Sequence, residues 1–237
     1  MSISLDYYFS HLDTFPFPDW FSGMTQAHEV LAKAKPFLEE LLVKPNVQES
    51  HATYKGEAPQ FHGNYFIGEG TVIYNGVTII GPVYIGRNVQ IMPGVVLRPG
   101  TILSDNSSVG TGSEIKHAVF FESAKVASLA FVGDCVLGKS ARVGSGVITA
   151  NRKFDQSNVT ITLDGTRVDL GMDFFGCILG DRARIGANSV TQPGTHIGPD
   201  TWIFPQTNVR GLIPREKRVF VEQNLCMTDN AVIELKP

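Results

Sequence analysis

The sequence predicts an all-β fold, a parallel β-helix of hexapeptide repeats with a small N-terminal helical segment. Three observations carry this. Taken every sixth residue, the stretch from Ile67 to Phe121 reads Ile67, Ile73, Ile79, Ile85, Ile91, Leu97, Leu103, Val109, Ile115 and Phe121. Four residues after most of these stands a small or β-branched residue, such as Thr71, Val77, Val83 or Thr101. The register fades near Ala127, shows again at Leu137 and Val143, and returns from Leu179 through Ile185, Thr191, Ile197 and Ile203 to Val209. A period of six suits neither a helix, which repeats its apolar face at 3.6, nor a two-sided strand, which repeats it at two. It suits a solenoid in which each hexad supplies one short strand and one corner, with aliphatic ladders stacked inside.

Composition fits a globular chain of this kind. The 237 residues, 43% of them hydrophobic, can fill a sizeable core, and the 24 glycines suit a backbone that turns every few residues. A net charge of −3 gives no reason to expect bulk binding to nucleic acid or to a membrane surface. Cys135, Cys177 and Cys226 are odd in number, widely spaced and form no CxxC pair, as expected in a reducing compartment. No apolar run is long enough to span a bilayer, and the first residues lack the basic and apolar regions of an export signal. A cytoplasmic protein without membrane or nucleic-acid partners is expected.

In chain order, residues 1–56 form an N-terminal cap. Tyr7, Tyr8, Phe9, Phe15, Phe17, Trp20 and Phe21 interleave with Pro16 and Pro18, and so many rings call for a packing partner, either the following helix or a neighbouring subunit. Between Ala27 and Leu42 the residues Val30, Leu31, Ala34, Phe37, Leu38, Leu41 and Leu42 fall at helical spacing, predicting an amphipathic helix that Pro36 kinks or splits. A polar linker from Val43 to Gly56 leads to a solenoid over 57–212, interrupted by an excursion at 149–173. Within it Val159, Ile161, Leu163, Val168 and Leu170 flank Asp164-Gly165 and predict a hairpin. Residues 213–237 form a C-terminal extension, with extended segments at Val219–Val221 and Ala231–Leu235 around a turn at Thr228-Asp229-Asn230, capping the open end.

A polar residue just after a ladder residue faces outward. Arg98 follows Leu97 and Lys116 follows Ile115 three hexads later, so a triangular coil stacks the two cations on its outer wall. Stacked like charges favour an anion such as phosphate between them, or neutralisation through Glu114 or Glu122. Asn151, Arg152 and Lys153 open the excursion as a further donor cluster. The alternation puts His117 inward or at a corner and His196 outward. No HxxxH, HExxH or Cys/His grouping suggests a metal, and there is no phosphate loop or GxSxG elbow.

The run Leu97-Arg98-Pro99-Gly100, Gly112-Ser113-Glu114-Ile115-Lys116, Ser123-Ala124-Lys125, Phe131-Val132-Gly133-Asp134 and Ala150-Asn151 resembles the hexapeptide-repeat acyltransferases. It is most similar to the C-terminal acetyltransferase half of bifunctional UDP-N-acetylglucosamine pyrophosphorylase/glucosamine-1-phosphate acetyltransferase, while Ala150-Asn151-Arg152-Lys153-Phe154-Asp155 resembles the archaeal-type sugar-1-phosphate nucleotidylyltransferase relatives. The likeness covers residues 65–212. The glycine-rich nucleotidyl-transfer signature is absent, so no pyrophosphorylase activity is expected. The resemblance implies a left-handed β-helix, a homotrimer with the excursion reaching over the adjacent subunit, acetyl-CoA as co-substrate without a metal, and a sugar phosphate or nucleotide sugar as substrate. By position it places phosphate-holding roles on Arg98 and Lys116, a substrate contact on Asn151, family substrate positions on Phe131 and Arg142, and acetyl-CoA near Ala187 and Pro205; Arg152 and Lys153, the donors next to Asn151, are candidate substrate contacts beside them. The family pattern Lys-x-x-His-Leu-x-Tyr-x-Gly-Asp reads here Lys125-Val126-Ala127-Ser128-Leu129-Ala130-Phe131-Val132-Gly133-Asp134. Ser128 therefore stands at the catalytic histidine's position, Phe131 lacks the tyrosine hydroxyl, and Arg142 replaces a usual Asn.

A hydroxyl with a pKa far above seven does not replace imidazole as a base without an activating partner. Three readings follow. The first is an acetyltransferase acting on an amino-sugar phosphate or nucleotide sugar with another base, His117 or His196. The second is a non-catalytic sugar-phosphate or nucleotide-sugar binder. The third is a trimeric scaffold that docks partners through its aromatic N-terminus.

Overall fold

The computed structural model describes residues 2–43 and 48–228, and it is a left-handed parallel β-helix with a helical N-terminal cap. Each coil has three faces. The first carries Gln48–Ser50, Tyr65–Ile67, Val83–Ile85 and Thr101–Leu103, and later Cys177–Leu179, Thr195–Ile197 and Leu212–Ile213. The second is an unbroken nine-stranded parallel sheet from Thr53–Lys55 to Arg218–Val219. The third begins at Gln60–His62 and ends at Asn208–Val209. Two strands, Glu114–Phe120 and Phe131–Leu137, belong to two faces: each turns the corner from third to first within one run, at His117 (φ 46°) and Asp134 (φ 52°). That places two left-handed, non-glycine residues at one corner of neighbouring coils.

The aliphatic ladder is the core. Ile67, Ile73, Ile79, Ile85, Ile91, Leu97, Leu103, Val109 and Ile115 are all fully buried within it. Phe121, the tenth ladder residue by spacing, is not: Phe120 occupies the inner position instead. The cause is a change in coil length. Leu103 pairs with Phe120, Val109 with Val126 and Val126 with Val143, steps of 17 residues, whereas Ile67 to Ile85 and Ile185 to Ile203 are steps of 18. Two short coils in succession explain why the six-residue register slips near Ala127.

Phe121, displaced outward, stacks on Phe9 at 4.7 Å and Phe21 at 5.6 Å. The cap seats there: Tyr8, Phe9, Phe15, Phe21, Leu31 and Leu38 are buried in one cluster with Ile102, Val119, Val136 and Ile178, the outward row of the first face. The aromatic segment thus packs on its own solenoid, which removes most of those rings from any docking role of the kind the scaffold reading requires. Asp181, 1% exposed, holds the cap's entry by accepting from the Ser10 N–H at 2.9 Å, the Ser10 hydroxyl at 2.8 Å and the Lys139 N–H at 2.8 Å. The helix spans His28–Leu41 and runs unbroken through Pro36, so the proline does not split it. Its start is capped by Glu29, whose Oε2 accepts from the N–H groups of Thr25 (2.7 Å) and Gln26 (2.8 Å).

The solenoid is longer than the sequence boundaries of 57 and 212. It begins at Gln48–Ser50, inside the expected linker, and the two-residue strands Leu212–Ile213 and Arg218–Val219 add a final coil, because three-residue strands are too short to announce themselves by alternation. The excursion carries the expected hairpin, Thr160–Leu163 against Thr166–Asp169, and Arg152 and Phe174 bridge at its neck. Ala231–Leu235 and most of the expected turn before it lie outside the described residues. No helix is long and apolar enough to cross a membrane among the described residues.

Candidate active site

The 17-residue coil sets His117 beside Asp134, since Lys116 pairs with Gly133 and Ala118 with Cys135. Asp134 is the hub. Its Oδ1 lies 2.9 Å from His117 Nδ1, and its Oδ2 accepts from Lys116 Nζ at 3.0 Å and Asn151 Nδ2 at 2.6 Å. Burial alone would push this carboxyl up, but hydrogen bonds from His117 and Lys116, and their charge, outweigh it and hold Asp134 below the usual carboxylate range. An ionised carboxylate only accepts, so His117 Nδ1 donates to it and Nε2 is the ring nitrogen turned away from Asp134. Nε2 is enclosed and has no hydrogen-bond partner among the described residues. Gly100 makes room for the ring: a Cβ there would lie 2.6 Å from His117 Cδ2.

Lys116, His117 and Asp134 border a cavity of about 650 Å³ between the corner, the cap helix and the end of the excursion, with Lys35, Arg98 and Phe174 among its walls. The Phe174 ring lies 4.0 Å under Lys116 Nζ and 4.7 Å from the Arg152 guanidinium. The register stacks Arg98 beside Lys116, because Leu97 pairs with Ile115. Each is neutralised separately, Arg98 by Glu114 at 2.8 Å and Lys116 by Asp134.

The structure therefore gathers Arg98, Lys116, His117, Asn151 and Arg152 at one corner. Lys153 turns away into the excursion, bonded to Ser157 and to the Asn158 carbonyl. Phe131 stands on the third face with its ring edge against Gly133. Ser128 is at another corner, between the second and third faces, where its carbonyl accepts from Gly146 N–H at 3.0 Å. Ala187 and Pro205 continue that edge, pressed against Gly144 and Gly186. Arg142 is on the second face, beside a shallow apolar hollow of about 260 Å³ shared with Arg184, Trp202 and Pro205. His196 does face outward from its coil, but the cap seals it completely: it lies between Tyr8 and Phe175, with ring centroids at 5.7 and 5.6 Å. Burial lowers its pKa to about 4, the Gly194 carbonyl opposing and His28 adding to the shift. No substrate reaches it. Asp134, Phe174 and Lys35 were not singled out by the sequence. For Asp134 the signal existed: it lies one 17-residue coil after His117.

Residues 79–181 match the family model of the GMPPB C-terminal domain. The uncharacterized acetyltransferase YaiX of Escherichia coli strain 536 is 31% identical over 209 residues, spanning 88% of this chain and 84% of that protein. The chain belongs to the hexapeptide-repeat acetyltransferase family. Another member, the bifunctional protein GlmU of Methanococcus maripaludis strain C5, is 35% identical over 166 residues, which is 70% of this chain but only 40% of GlmU. Two solved structures are similar at lower identity. UDP-N-acetylglucosamine acyltransferase of Francisella novicida is 16% identical with a TM-score of 0.41, over 69% of this chain and 62% of that one. Perosamine N-acetyltransferase of Caulobacter crescentus, in complex with CoA and GDP-perosamine, is 19% identical with a TM-score of 0.35, over 64% and 53%.

Proposed function

We propose that this member transfers an acetyl group from acetyl-CoA to the amine of an amino-sugar phosphate or nucleotide sugar, with His117 as general base. The observation that carries the reading is the His117–Asp134 pair in the cavity walled by Lys35, Arg98 and Lys116. Asp134 fixes the tautomer and stabilises the imidazolium. Nε2, enclosed in the free protein, has to be uncovered as the substrate enters the cavity; as the amine then attacks the thioester carbonyl, the N–C bond forms, Nε2 takes the amine proton, the C–S bond breaks and the proton passes to the departing CoA thiolate. Arg98 and Lys116 would exchange their carboxylates for the anionic end of the sugar. Acetyl-CoA would lie along the edge of Ala187 and Pro205, and because that edge is a different corner of the coil from His117, the reading favours a homotrimer in which adjacent subunits complete the site. A cytoplasmic, metal-free enzyme fits this chemistry.

The test is acetyl transfer to glucosamine 1-phosphate and to UDP-linked amino sugars. His117→Asn should lower turnover about 10²- to 10⁴-fold while thermal stabilisation by acetyl-CoA persists. Unchanged turnover removes His117 as the base. A second reading, a sugar-phosphate binder without turnover, is favoured by Ser128 at the family's histidine position; it predicts ligand stabilisation that weakens in Arg98→Ala and Lys116→Ala with no product at any pH.

A further inference from the structure

The second face carries a row of charge that the overall composition hides. Lys125, Arg142, Arg184, Trp202 and Arg218 pair rung to rung along five consecutive coils, about 19 Å of solenoid at some 4.8 Å per rung. All five are exposed. The described residues place no acid against any of the four cations. Elsewhere the chain does pair its surface charges: along the edge between the first and second faces, Arg87 meets Asp105 at 2.9 Å, Lys139 meets Glu122 at 2.8 Å and Arg182 meets Asp200 at 2.7 Å. Stacked unpaired cations repel one another, and in a chain of net charge −3 they are no by-product of a basic composition.

Aromatic side chains accompany the row. Trp202 is 43% exposed and lies between the guanidinium groups of Arg184 and Arg218, at 5.7 and 5.5 Å. Two residues beyond Trp202 and Arg218, Phe204 and Phe220, also exposed, meet edge to face at 6.1 Å. Beyond them the chain passes Gln206, which bonds to Gln223 at 3.2 Å, and exposes Leu225 and Met227. Cations in a flat row, a tryptophan among them and apolar side chains at one end are the features of a surface that rests on an anionic lipid headgroup layer.

We infer that the C-terminal half of the second face is a docking surface for an anionic membrane, with the cations on the headgroups and Trp202, Phe204 and Phe220 at the acyl boundary. The net charge predicted no such partner, because it averages over the laced edge and the bare face. The face borders the edge proposed for acetyl-CoA, with Arg142, Arg184, Trp202 and Pro205 lining one hollow, but the inference is read from vesicle binding and does not depend on turnover.

The test is sedimentation with vesicles of phosphatidylcholine alone or with a third phosphatidylglycerol, using the full chain with Trp20→Phe so that emission reports Trp202. Binding to the anionic vesicles only, weakened by salt and accompanied by a blue shift, is the expected result. Lys125→Gln, Arg184→Gln and Arg218→Gln together should weaken partitioning about 100-fold, at roughly fivefold per cation, with a melting temperature no lower than the parent's. The inference is overturned by equal binding to neutral vesicles, by unchanged partitioning of the triple variant, or by a Trp202 shift with soluble polyphosphate and none with vesicles. It is equally overturned if Trp202 resists acrylamide quenching in the free protein, since a second copy of the chain then covers the face.

Discussion

Acidification should loosen the cap through His196. The side chain is fully buried and its pKa falls from 6.5 to about 4, so the folded state keeps it neutral while the unfolded chain protonates it. A depressed histidine contributes stability that is intact above pH 6.5 and is lost as pH falls, the unfolded state binding the extra proton between 6.5 and 4. The full shift corresponds to about 3 kcal/mol and the part reached by pH 5 to about 2 kcal/mol. His28, also lowered chiefly by burial, lies close enough to add to the effect. His196→Leu removes this titration; it also leaves the Gly194 carbonyl, 2.9 Å from Nδ1, without its donor, at about 1 kcal/mol independent of pH. Urea unfolding at pH 7.5 and pH 5 should therefore show the parent losing about 2 kcal/mol more than the variant between the two values. Parallel losses in both proteins would refute the assignment of the burial cost to His196.

Four further outcomes are expected. Asp181→Ala should cost about 3 kcal/mol, since three donors lose a buried acceptor, and hydrogen exchange should then show residues 2–42 opening before the coils. Phe121→Ala, which removes the ring stacked on Phe9 and Phe21, should cost about 3–5 kcal/mol in urea unfolding. Gly100→Ala puts a methyl against His117 at a φ of 83°; it should lower turnover on amino-sugar phosphates more than it lowers acetyl-CoA affinity, and equal losses would speak against an effect through the imidazole. A thiol reagent should titrate one cysteine per native chain, the exposed Cys226, because Cys135 and Cys177 are buried; three reactive thiols without denaturant would contradict the packing of the coil interior.

The solenoid was legible because a ladder is a long-range feature written locally: Ile67 to Ile115 are buried as the period demands. The coil ends were not, since strands such as Leu212–Ile213 hold too few residues to alternate. The pairing of Arg98 over Lys116 followed from spacing, and Glu114, one of the two expected neutralisers, does meet Arg98; the partner of Lys116, Asp134, was missed because it sits at a corner, outside the alternation. The two histidines separate for a similar reason. His196 faces outward as its position predicts, but only the folded cap, brought from residues 2–42, makes that outside an interior. His117 was left between inside and corner, and its left-handed backbone decided the matter.

The two shortened coils give the molecule an address as well as a shape. A solenoid of identical rungs has no distinguished place on its length, and a residue count from either end drifts with every insertion. Dropping one residue from two successive coils breaks that sameness in the middle of the solenoid, and it sets an imidazole opposite a carboxylate at the break. Restoring the eighteenth residue next to His117 would leave the ladder satisfied on both sides while sliding the histidine off Asp134. In a fold this repetitive, chemistry can be gained or erased by a change of one in the count, with little trace in the stability of the whole.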